Sequence, residues 1–63
     1  MKVEERIHQL EQDLVIDLNM AEEYSFTQYV PYIKQNYLEL SALKTAQYLR
    51  EKHKDDMNNF LKR

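Results

Sequence analysis

Between Lys2 and about Glu23, Val3, Ile7, Leu10, Leu14, Leu18 and Ala21 recur at spacings of four, three, four, four and three. That is one apolar stripe along a helix of 3.6 residues per turn. Glu4, Glu5, Glu11 and Gln12 fall on the polar side, and Val15, Ile16 and Met20 widen the apolar face in the second half. The pattern predicts a first helix over about 2–23.

A second series, Leu38, Ala42, Ala46, Leu49, His53, Met57 and Phe60, again steps by three and four, with Ile33 and Tyr37 extending it upstream. It predicts a second helix over about 31–61, roughly 45 Å long at 1.5 Å per residue. Leu38, Leu49 and Phe60 are eleven apart, as are Val3 and Leu14, and Ile7 and Leu18. An eleven-residue repeat corresponds to about 3.67 residues per turn, which favours nearly straight packed helices over a long left-handed coiled coil.

Ser25, Thr27 and Pro31 interrupt the two series. Ser25 followed by Gln28 has capping-box spacing, and Pro31 suits the first turn of a helix better than its interior. The connection is therefore expected near residues 24–30, with room for one turn capped by Ser25. Ser41 offers a second candidate break, as the cap of a separate helix starting at Ala42.

A short connection makes the two helices antiparallel neighbours. The expected fold is all-α: a single helical-hairpin domain over 1–63, with two copies pairing about a two-fold axis into a four-helix bundle. Residues expected in the core or dimer packing are Ile7, Leu10, Leu14, Leu18, Leu38, Leu49, Met57 and Phe60.

Size and composition strengthen the expectation of a homodimer. A chain of 63 residues buries only about 60% of the surface its unfolded form exposes. Without cysteine there is neither a disulfide nor a thiolate zinc site to compensate, which leaves association. Zero glycine and one proline argue against β-hairpins and phosphate-cradling loops, which need residues at positive φ. The longest aliphatic run, Leu14 to Ile16, is far too short for a membrane span or a secretory h-region, so no membrane partner and a cytoplasmic location are expected.

Charge is unevenly divided. Residues 1–24 carry two cations, Lys2 and Arg6, against seven carboxylates, a balance of −5; residues 25–63 carry seven cations against four carboxylates, a balance of +3. Complementarity within the chain or between copies accounts for this, and docking of the acidic helix on a basic partner surface is the sharper alternative.

Candidate chemistry is sparse. Glu5 and His8 have the Glu-x-x-His spacing of di-iron bundles, but Glu5 lies off the buried stripe and further facing carboxylates are needed, so no metal and no cofactor are expected. His53 with Asp56 suggests an imidazole oriented by a carboxylate, or simply a partly buried polar residue at a bundle end. Ser25 and Ser41 lack a neighbouring histidine or a nucleophile elbow, and two helices offer no deep cleft, so enzymatic activity is not expected.

Tyr24, Tyr29, Tyr32, Tyr37 and Tyr48 are the most unusual feature, the first four lying within fourteen residues around the break, with Phe26 among them. Tyrosine plugs bundle ends with the ring inward and the hydroxyl outward, and it is also enriched at recognition hot spots. Tyr24, Phe26, Tyr29, Tyr32 and Tyr37 are the expected contacts to a protein partner.

The rival is a helix-turn-helix regulator using residues 31–54, with Ser41 at the turn and Lys44, Arg50, Lys52 and Lys54 facing DNA. The net charge of −2, the lack of a turn glycine and the helical periodicity through Ser41 disfavour nucleic acid. The leading expectation is a small non-enzymatic regulatory or adaptor protein acting by protein–protein interaction as a homodimer.

Overall fold

The computed structural model describes residues 1–54 and 56. It is an antiparallel pair of helices, α1 (Val3–Glu23) and α2 (Phe26–Lys52), joined by Tyr24 and Ser25 alone.

Helix α1 follows from an uninterrupted run free of glycine and proline. Glu4 and Glu5 occupy its first turn, where carboxylates complement the positive end of the helix dipole. The Lys2 N–H donates to Glu5 Oε2 at 3.4 Å, and at the other end the Tyr24 N–H donates to the Met20 carbonyl at 2.8 Å.

Helix α2 begins five residues before Pro31, which corrects the expected start. Ser25 is extended, and its Oγ accepts the Gln28 N–H at 3.3 Å, satisfying one of the first-turn donors. The helix then runs through Pro31. Proline has no N–H for the Thr27 carbonyl four residues earlier, but Thr27 and Pro31 are both exposed, so water reaches the carbonyl left over. The connection is thus two residues, shorter than the expected 24–30.

Ser41 lies inside α2 without a break. Arg50 and Lys52 stand in the last turn, where cations complement the dipole, and the His53 N–H donates to the Leu49 carbonyl at 2.9 Å. The expected continuation toward Leu61, with Met57 and Phe60, falls outside the described residues.

The core is formed by Ile7, Leu10 and Leu40, with Val3, Leu14 and Leu43 packed around it. Leu10 has no exposed surface, and Ala21, near the connection, is 1% exposed. On α1 the expected stripe packs inward from Val3 to Leu14 and again at Ala21, but Leu18, expected in the packing, is exposed.

On α2 the expected face is corrected. The residues turned toward α1 are Ile33, Asn36, Leu40, Leu43 and Gln47, all buried or half-buried, while Leu38 and Leu49 are 62% and 45% exposed and Ala42 is also exposed. At about 100° per residue the second set lies some 160° round the helix from the first. Apolar residues cover so much of the circumference of α2 that two stripes coexist, and α1 can cover only one.

The result is a single layer, 55 × 17 × 15 Å, with a radius of gyration of 16.2 Å, against about 11 Å for a compact domain of this length. No helix among the described residues is long and apolar enough to cross a membrane.

Candidate interaction surface

Two edges of the hairpin are held by different side chains. On one edge Arg6 donates to both oxygens of Glu39, Nε to Oε2 at 2.6 Å and Nη2 to Oε1 at 2.9 Å, and Nη1 donates to Gln9 at 2.9 Å. The hydrogen bond from Arg6 holds the Glu39 carboxyl below the usual carboxylate range, and the same bond raises the Arg6 guanidinium above its ordinary value. Asn36 donates to Asp17 at 3.0 Å in a half-buried position. On the other edge Lys44 reaches Glu11 at 3.5 Å, and Gln47 donates to Glu4 at 3.2 Å.

The charge bias between helices thus explains Lys44 with Glu11, but the shortest ion pair among the described residues, Arg6 with Glu39, runs against it. It joins a cation of the acidic helix to a carboxylate of the basic one. Nothing local in the sequence signals this contact between residues 33 apart.

The residues expected to bind a partner are largely at the surface. Tyr24, Phe26, Tyr32 and Tyr37 are between 56% and 64% exposed, and Tyr29 is half-buried. Tyr29 and Tyr32 stack at an angle, with ring centroids 6.4 Å apart, within the range where aromatic pairs attract. The rings do not form a plug inside the hairpin. Tyr48 is exposed as well, with Lys52 Nζ 5.8 Å from its ring centroid, a cation–π contact.

A feature the sequence reading missed is the flank of α2. Phe26, Tyr37 and Tyr48 are eleven apart and, with Val30, line up along α2 about 85° from the face that meets α1. Val15 and Leu18 of α1 are turned by the same rotation from their own inward face. In an antiparallel pair that brings both sets to one side, the side on which Lys44 meets Glu11. Val15, Leu18 and Val30 are 60%, 48% and 46% exposed. The eleven-residue spacing is the available signal, and on α2 it is shared by this flank and by Leu38, Leu49 and Phe60.

The remaining candidates are not brought together. Glu5 and His8 are both exposed, and Glu5 is engaged by the Lys2 amide. His53 is exposed and not buried, with Nδ1 3.4 Å from Asp56 Oδ2. Among the described residues no three histidine or carboxylate side chains converge on a point where they could share a metal ion. The turn at Ser41 that a helix-turn-helix needs is replaced by continuous helix; Lys44 is paired across the hairpin, and Arg50, Lys52 and Lys54 are exposed.

No family model, no curated protein and no solved structure matches this chain.

Proposed function

We propose that this chain is a small non-enzymatic regulatory or adaptor protein of the cytoplasm, working as a homodimer that contacts another protein through its tyrosine-rich connection. The reading rests on surplus surface. The chain exposes 5509 Å², whereas a compact monomer of 7.7 kDa is expected to expose about 4,300 Å². The excess is larger than the roughly 800 Å² that each partner gives to a standard interface. Much of it is apolar, including Val15, Ile16, Leu38 and four of the five tyrosines, each at least 57% exposed.

Tyrosine supplies a wide contact at low entropic cost, with a hydroxyl that tolerates water when the partner is absent. The Tyr29 and Tyr32 pair is already ordered by mutual stacking, which lowers the cost of presenting it. Affinity capture from the native cell tests the reading. A protein retained by the wild type and lost from the Tyr29→Ala, Tyr32→Ala double variant, with helicity unchanged, is the expected result. Identical captures would contradict it.

A further inference from the structure

We propose that the second copy of this chain docks on the flank formed by Val15 and Leu18 of α1 with Val30 and Tyr37 of α2, about a two-fold axis parallel to the helices. This rests on the homodimer reading above and adds to it the surface and the symmetry.

Charge selects the arrangement. On this flank α1 presents Glu4, Glu11 and Glu22 beside Val15 and Leu18, and α2 presents Lys34, Lys44 and Lys52, against Glu51 near its end, beside Val30 and Tyr37. Two flat hairpins facing each other can be related in two ways. With the axis across the helices, α1 lies on the partner's α1, and rows of carboxylates confront each other at a cost. With the axis along the helices, α1 lies on the partner's α2, and acid meets base on both halves of an isologous interface.

Register supports the same choice. The contacts Asp17 with Asn36 and Glu11 with Lys44 set Val15 level with the turn holding Tyr37, and Glu22 level with the turn from Val30 to Lys34. Rotation about an axis along the helices keeps every height. Val15 therefore meets the partner's Tyr37, Glu11 comes within reach of the partner's Lys44, and Glu22 of the partner's Lys34. In either arrangement every adjacent helix pair is antiparallel, as in an up-down-up-down bundle, so charge and height make the choice. The surplus surface is sufficient for an interface of standard size, and this flank spans both helices.

The natural chain has no cysteine, so single cysteines report contacts without background. Val15→Cys and Tyr37→Cys replace exposed residues, and neither disturbs the core. Each chain alone, treated with a short bis-maleimide, should give little cross-linked dimer, and an equal mixture after subunit exchange should give abundant product. A second arm uses charge: Glu11→Lys with Glu22→Lys should be monomeric, as should Lys34→Glu with Lys44→Glu, and mixing the two should restore the dimer. A wild type that is dimeric by light scattering, but links Val15→Cys to itself or gives no product in the mixture, overturns this surface and leaves the homodimer reading standing. A monomeric wild type overturns both.

Discussion

Arg6 and Glu39 are joined by two parallel hydrogen bonds of 2.6 and 2.9 Å across the hairpin. The fork of a guanidinium matches both oxygens of a carboxylate, so the pair specifies geometry even though each side chain is more than a third exposed.

The folded-state value of Glu39 is lowered, with the Arg6 hydrogen bond as the main cause. The pair's stabilisation is therefore fully present above the ordinary glutamate range and is lost as pH falls through the depressed folded value. Circular dichroism melts should show a midpoint that holds from neutral to mildly acidic pH and then drops. Glu39→Gln should lower the neutral plateau slightly and flatten that acidic drop. A variant with the wild-type acid limb would show that the pair is immaterial.

Leu10 and Leu49 should respond differently. Leu10 is fully enclosed, so Leu10→Ala should cost about 2–5 kcal/mol. Leu49, 45% exposed on the side of α2 away from α1, should cost under about 1 kcal/mol on the same change. Urea denaturation of the two variants measures both, and equal losses would place Leu49 in a core the hairpin does not have.

Pro31→Ala should stabilise the protein by about 1–3 kcal/mol, since proline is costly within a helix and alanine restores a donor for the Thr27 carbonyl. If residues 26–30 were not part of α2, the substitution would change thermal stability little. Ser25→Ala should act in the opposite sense, costing about 0.5–2 kcal/mol through the lost cap on Gln28.

These contrasts show what the chain makes legible. The stripe of α1 was readable because Glu4, Glu5, Glu11 and Gln12 leave only one side for burial, and Val3, Ile7, Leu10 and Leu14 do pack inward. Ser25 was readable as a cap because its spacing to Gln28 is a local rule. The start of α2 is not legible because proline prefers the first turn of a helix, whereas at an exposed position such as Thr27 and Pro31 the lost bond is tolerable. The packing face of α2 is not readable from periodicity, because Leu38 and Leu49 compete with Leu40 and Leu43 from the opposite side of the same helix. What decides is the partner: the α1 side chains meet the face where Asn36 and Gln47 also find Asp17 and Glu4. Only that long-range pairing, which no local pattern encodes, leaves the flank of Phe26, Tyr37 and Tyr48 uncovered.

On the proposal above, a second copy closes the uncovered flank. Sedimentation equilibrium over a dilution series at low salt tests it most directly. The expected result is a species of twice 7.7 kDa at micromolar concentration that dissociates on dilution or with added salt, with helicity falling alongside. A single 7.7 kDa species that keeps its helicity and unfolds cooperatively at every concentration would contradict it.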